Sequence, residues 1–276
     1  MTANSSSDAS PGTPASSGTA RATLLTVLGE AVAPYGATVW QESLVAALTT
    51  LDVSSPAARQ AVARAIREGW LTSERVGRRS LLTISDSSRK MLEEGRARAL
   101  AFGSPVEWDG RWLLAALTVP EERRDLRYQL RTQLGWLGFG SLGNGLWISP
   151  HVEHQGAAVD LLHGGEDPVH AFVFVSTMSP THTPAEIART AWDLDALRER
   201  YSTFLTAHGK SRPSAPAAVF AAWIRMFTSW RHFPLVDPEL PDSLLPARWP
   251  RSRARTLFTS RNEEWSDVAL AHFRSL

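Results

Sequence analysis

The sequence predicts an α+β chain in three parts, and three observations predict it. Short amphipathic patterns ending in a hairpin signal fill the first hundred or so residues. A strand–helix–strand–strand–helix–strand order follows, and the remainder reads as helices interrupted by prolines. The parts divide at 21–103, 104–180 and 181–276, behind a tail over 1–20. That tail, MTANSSSDASPGTPASSGTA, lacks aromatic and β-branched apolar residues and is expected to be disordered.

Residues 21–32 set Leu24, Leu25, Val27, Leu28 and Val32 at helical spacing. After Pro34-Tyr35-Gly36, Thr38 is expected to cap a second helix with Val39, Trp40, Leu44, Val45 and Leu48 inward. In the third helix Ser54 or Ser55 can cap the free N–H groups, Pro56 suits the first turn, and Gly69 is placed to end it. Ala58, Val62, Ala65 and Ile66 share its inner face, while Arg59, Gln60, Ala63, Arg64 and Arg67 share the outer one. Strands over 71–76 and 80–84 then flank a tip of Gly77-Arg78-Arg79.

Three short helices followed by a basic hairpin is the order of a winged helix-turn-helix, in which one helix enters the major groove of double-stranded DNA. Arg59 and Gln60, with Ser55 near the helix start, are the candidates for base or near-base contacts, since Gln pairs with adenine and Arg with guanine. Arg64 and Arg67 are placed for phosphates, and Arg75, Arg78 and Arg79 for phosphate or the minor groove. On these residues, Arg59→Ala is expected to lose sequence discrimination, and Arg79→Ala to weaken binding generally with a smaller salt slope. The competing readings are a solvated arginine face and a winged helix that binds protein instead.

Asp86-Ser87-Ser88 caps a helix to about residue 100, and Phe102-Gly103-Ser104-Pro105 reads as a linker. Beyond Trp108-Asp109-Gly110, residues 111–119 form a buried strand and Pro120 starts a helix to about 137. Strands over 138–142 and 146–149 flank Gly143-Asn144-Gly145, a hairpin signal. A helix over 152–163, Pro168, and a strand over 169–175 complete a ferredoxin-like βαββαβ unit, the candidate dimerisation domain. Thr183-Pro184-Ala185-Glu186 opens the helical end, with helices at 184–190, 193–208, 216–232 and from 251.

Composition narrows the classes. Net charge is only +1, but residues 21–98 hold eleven Lys and Arg against eight Asp and Glu, a net of +3. So modest an excess implies affinity that depends on geometry and pairing of two copies. No apolar run is long enough to span a membrane and nothing reads as a signal peptide. Cysteine is absent, which excludes disulfides and thiol chemistry and fits a reducing cytoplasm.

The chain beyond its tail resembles the PaaX family of bacterial repressors. The residues that carry the likeness are Val39-Trp40, Ala57-Ala58-Arg59-Gln60-Ala61, Gly69-Trp70-Leu71 and Val76-Gly77-Arg78-Arg79. In the centre they are Trp108-Asp109-Gly110-Arg111-Trp112, Leu137-Gly138-Phe139-Gly140 and Leu146-Trp147-Ile148-Ser149-Pro150, and near the end Trp230-Arg231, Phe233-Pro234, Asp237-Pro238, Leu240-Pro241, Leu244-Leu245-Pro246 and Trp249-Pro250. The resemblance implies a homodimeric, ligand-responsive regulator that leaves a palindromic operator when a small effector such as an aromatic acyl-CoA binds; no cofactor is expected. It places Arg59 and Gln60 in the recognition helix and Arg78 and Arg79 in the wing.

The start of the final helix carries Arg248, Arg251, Arg253 and Arg255, which could take the phosphates of a CoA thioester, with Trp230 among the tryptophans able to wall its acyl group. The plain alternative is a solvated basic turn beside core tryptophans. Three further readings are weaker. The family's central domain is similar to a ferredoxin-like nuclease subunit, but here the first strand ends in Leu117-Thr118-Val119 and Asp109 precedes it, so metal-dependent nuclease activity is not expected. His151 and His154 have a metal-compatible spacing, but no metal site is expected on spacing alone. No Gly-x-Ser-x-Gly elbow marks a hydrolase, and the chain is not expected to be an enzyme.

Overall fold

The computed structural model of the chain describes residues 15–105, 107–164, 169–179 and 181–276. Residues 1–14 of the expected tail, and Pro168, lie outside the described residues. The chain is α+β, and it groups into two compact units that cut across the expected segments. The first holds Met1–Ala97 with Arg212–Thr228 and Asn262–Leu276; the second holds Arg98–Ser211 and Ser229–Arg261.

In the first unit, α1 spans Ala15–Val27 and continues through a π-helical turn at Leu28–Val32. The helix therefore begins inside the segment expected to be disordered, because Ala20 and Leu24 bury their side chains and extend its packing inward. A second expectation fails at Thr38. This residue opens a strand, β1 (Thr38–Trp40), paired antiparallel with Thr83, and α2 (Gln41–Thr50) starts at an N-cap of Trp40 with no side-chain cap bond. The ladder to a strand more than forty residues later overrides the local capping signal.

The left-handed turn at Asp52, with φ of 62°, leads into α3 (Ser55–Arg67). The hairpin is β2 (Leu71–Val76) against β3 (Arg79–Ile84), giving a sheet ordered β1-β3-β2. The helix α4 spans Asp86–Ala101. Leu44, Leu48, Ala58, Val62, Leu71 and Leu82 are buried. Within this unit, Arg96 reaches the buried Glu30 at 2.9 Å, Arg225 reaches Asp52 at 2.6 Å, Thr228 donates to Thr26 at 3.0 Å, and Trp223 donates to Asn262 at 2.9 Å. Residues 212–228 and 262–276 are thus part of the same body as the hairpin.

In the second unit, β4 (Arg111–Thr118), α5 (Arg124–Trp136), β5 (Gly140–Gly143), β6 (Leu146–Ser149), α6 (Gln155–His163) and β7 (His170–Thr177) follow in turn. Their sheet runs β5-β6-β4-β7 with all neighbours antiparallel, the ferredoxin-like order. Pro120 does not start α5: residues 120–123 make a turn, with the Arg123 N–H on the Pro120 carbonyl at 3.1 Å. Asn144 and Gly145, with φ of 49° and 78°, form the hairpin turn. Leu113, Ala115, Leu130, Leu134, Phe139 and Leu162 lie in one buried cluster.

The helical end begins with α7 (Pro184–Ala191), opened by the Thr183/Glu186 capping box, and α8 (Leu194–Gly209). Helices α9 (Pro216–Trp230), α10 (Phe233–Val236) and α11 (Arg251–Arg274) follow.

Candidate nucleic-acid interface

The local signals of α3 act as the sequence implies. The Ser54 hydroxyl accepts the Ala57 N–H at 3.4 Å, Pro56 sits in the first turn, and Gly69, with φ of 76°, follows the last turn. Ala58, Val62 and Ala65 turn inward, which leaves Arg59, Gln60, Ala63, Arg64 and Arg67 exposed, while Ile66 is half-buried. In the hairpin, Arg75 pairs in register with Ser80 and Val76 with Arg79, so Gly77 and Arg78 form the tip.

The eight candidate residues fall into two groups. Ser55, Arg59, Arg75, Arg78 and Arg79 line one open concavity of about 640 Å³, whose opposite wall is α2 through Gln41, Glu42, Thr49 and Thr50. Gln60, Arg64 and Arg67 border a second groove of about 360 Å³ shared with Arg21, Leu24 and Trp70. The outer face of α3 thus stands between two depressions.

The arginines differ in how their charge is met. Arg59, Arg67 and Arg78 make no ion pair among the described residues. Arg64 pairs with Glu68 at 3.3 Å, and Arg75 donates to the Gly77 carbonyl at 3.2 Å. Arg79 pairs with Glu42, and its guanidinium lies 4.1 Å from the centre of the Trp40 ring. Sequence reasoning missed the α2 wall altogether. Its only trace was an acidic residue two positions after Trp40, where the first turn of a helix faces a basic hairpin.

Two of the four candidate effector arginines, Arg251 and Arg255, spend donors within the chain. Arg251 is buried, and donates to the Leu240 carbonyl at 2.6 Å and to Asp242 at 2.9 Å, with Asp237 at 3.6 Å. Arg255 donates to the carbonyls of Ala101 and Phe102 and to Ser104, at 2.6–2.9 Å. Trp230 is fully buried, donates to the Ala99 carbonyl at 2.8 Å and stacks on Phe258 at 4.7 Å. Only Arg248 and Arg253 of this set are exposed. Arg251 answers the buried Asp237 and an open carbonyl of the proline-punctuated segment before α11, and Arg255 answers carbonyls at the C-terminal end of α4. Burial pushes the Asp237 carboxyl up, against the pull of Arg251, and Tyr201 donates its hydroxyl to it.

A different cavity in the same unit is open. It measures about 260 Å³, with Phe204, His208 and Phe233 as its floor and Arg200, Ser229 and His232 on its rim. Burial holds His208 below the usual imidazole range, and its Nε2 lies 3.4 Å from the Ser229 hydroxyl.

On the edge strand β7, Phe172 and Phe174 are each more than half exposed and stack 6.2 Å apart. Asp109 is taken up by Arg111, through its N–H at 2.9 Å and its guanidinium at 2.7 Å. His151 contacts Glu153 and the Pro238 carbonyl, and His154 the Leu137 carbonyl; among the described residues no group of three His, Asp or Glu could hold a metal ion. No helix of the described residues is long and apolar enough to cross a membrane.

The sequence matches three family descriptions in order: "PaaX-like protein" over 19–88, "PaaX protein central Cas2-like domain" over 105–188, and "PaaX-like protein C-terminal domain" over 192–275. It is 29% identical over 261 residues to "Transcriptional repressor PaaX" of Escherichia coli (strain K12), covering 88% of this chain and 79% of that protein. Its fold is similar to that of "Uncharacterized protein Rv0674 from Mycobacterium tuberculosis", with a TM-score of 0.62 at 22% identity, over 91% of this chain and 97% of that one. With all three segments matched in sequence order, the chain belongs to the PaaX family.

Proposed function

We propose that this protein is a DNA-binding transcriptional repressor rather than an enzyme. The observation that carries the reading is the outer face of α3 beside the hairpin tip, where Arg59, Arg67 and Arg78 stand exposed without an ion pair among the described residues. In this winged helix-turn-helix reading, Arg59 and Gln60, with Ser55 beside them, read base edges, and Arg64, Arg67, Arg75 and Arg78 hold phosphates. The repressor name of the Escherichia coli relative supports the regulatory role. A cytoplasmic site of action follows from a DNA partner.

The protein acts as a homodimer on a palindromic operator of a catabolic operon, with the central ferredoxin-like domain as the dimerisation element. Phe172 and Phe174 supply an apolar patch on an edge strand for that contact. A small effector, such as an aromatic acyl-CoA, releases the DNA. Its apolar end is assigned to the Phe204–Phe233 cavity, since Trp230, the wall expected for it, is fully buried, and two of the α11 arginines expected to hold its phosphates already bind protein carbonyls.

The test is footprinting of the protein on its own upstream region at two salt concentrations, with and without a panel of acyl-CoA thioesters. A protected palindrome that is lost at high salt supports DNA recognition, and loss of protection with one thioester supports the effector. No protection at low salt ends the reading.

A further inference from the structure

Glu42 is an acidic residue in the wall of an otherwise basic concavity. It lies in the first turn of α2, and its carboxylate pairs with Nε of Arg79, the first residue of β3. The Arg79 guanidinium also lies over the Trp40 ring, 4.1 Å from its centre, and Trp40 pairs with Leu81 in the β1–β3 ladder. A carboxylate from α2 and a ring from β1 therefore hold one arginine of the hairpin. A hydrogen bond from its own backbone N–H and the Arg79 contact hold the Glu42 carboxyl below the usual carboxylate range, so it is ionised at neutral pH.

Phosphate binding counts cations whose charge is not already answered. Each arginine that neutralises a phosphate releases condensed counterions and steepens the salt dependence of binding. An arginine paired with a carboxylate and set over an aromatic face brings no net charge to the backbone. Its neighbour Arg78, at the tip, makes no ion pair among the described residues, and Arg75 spends one donor on the Gly77 carbonyl. Both side chains of the Glu42–Arg79 pair are about half exposed, at 49% and 47%, so the pair adds little to stability. Its effect lies in where the arginine points.

We propose that Glu42 is a positioning residue that turns Arg79 into a brace between α2 and the hairpin, and so keeps it out of the phosphate contacts. Arg78 and Arg75 are then the phosphate ligands of the hairpin. Glu42 limits sequence-independent affinity, which makes binding depend more on the base contacts of α3. The proposal rests on the DNA-binding reading above.

The experiment measures the slope of log Kobs against log salt for the full chain on a random-sequence duplex, and on its own upstream fragment. R78A sets the scale: losing one phosphate contact flattens the slope by about 0.9. E42Q frees Arg79, so its slope steepens by about 0.9, an additional loss of roughly 3.5-fold in affinity for each four-fold rise in salt. E42Q also binds the random duplex more tightly at low salt and discriminates less between the two DNAs. The double variant E42Q/R79A removes the neutral pair whole and returns to the wild-type slope.

An E42Q slope equal to wild type overturns the proposal, as does a double variant flatter by about 0.9, because Arg79 would then already be on a phosphate. A double variant as steep as E42Q also overturns it, since bare carboxylate repulsion would then explain the change. Failure of the wild-type protein to bind either duplex at low salt has a distinct signature and removes the DNA-binding reading itself.

Discussion

Two arginine clusters in this chain look alike in sequence and differ in structure. Arg59, Arg64 and Arg67 lie on α3 and stay exposed. Arg251, Arg253 and Arg255 open α11, and two of them bind the chain itself: Arg251 is buried against two aspartates and a carbonyl, while Arg255 bridges two carbonyls and a hydroxyl. The difference lies in what faces each helix. Around α3 the backbone donors and acceptors are used up in regular structure and a capped turn. Arg251 meets a carbonyl and two aspartates of the proline-rich segment before α11, and Arg255 meets carbonyls at the end of α4, where helix carbonyls lack intrahelical partners. A basic helix start is a ligand site only where the protein has not already taken its donors.

Perturbing one member of each cluster tests that contrast most directly. Arg251→Ala leaves Asp237 buried without its cation, and is expected to cost about 3–5 kcal/mol of stability. A thermal or urea unfolding curve checks this, and a midpoint close to wild type would remove the structural role. Arg59→Ala should leave the unfolding midpoint unchanged and cost about 1–3 kcal/mol of binding to the specific site, with discrimination between sites relaxed. Equal weakening on every DNA would reassign Arg59 to phosphate. Arg253→Glu alters an exposed residue of the second cluster and should change stability by no more than about 0.5 kcal/mol. Lost effector response in a folded Arg253→Glu protein would return the ligand to α11.

The smallest effect is pH-dependent. His208 is buried, and its folded-state pKa lies below the unfolded value of about 6.5. As pH falls through 6.5 the unfolded chain takes up a proton that the folded state resists, so stability drops. The unfolding midpoint of the wild-type protein should therefore fall more steeply between about pH 7 and pH 5 than that of His208→Gln. Parallel profiles would show that His208 titrates normally.

Much of the architecture was legible because its signals are local. Ser54, Pro56 and Gly69 delimit α3 within fifteen or so residues, and Asn144-Gly145 dictates a tight turn wherever it occurs between strands. Thr38 misleads for the same reason: a threonine before a helical pattern is a cap signal, and only its pairing with Thr83 makes it a strand. The site was half legible. That Arg59 and Arg67 would be exposed followed from helical spacing. That Arg79 would be held by Glu42, 37 residues earlier, depended on how α2 packs beside the hairpin. The partners of Arg255 are more than 150 residues distant, beyond any periodicity.

The body that carries the hairpin is assembled from three separated stretches, and Trp223, Phe227 and Trp265 from the later two are buried. A chain still being synthesised therefore cannot complete that body until residues 262–276 have left the ribosome. The unit that holds α3 and the hairpin closes last, when the rest of the chain already exists. A chain stopped upstream of residue 262 lacks Trp265 and the Asn262 partner of Trp223, and with them part of the buried interior of that body.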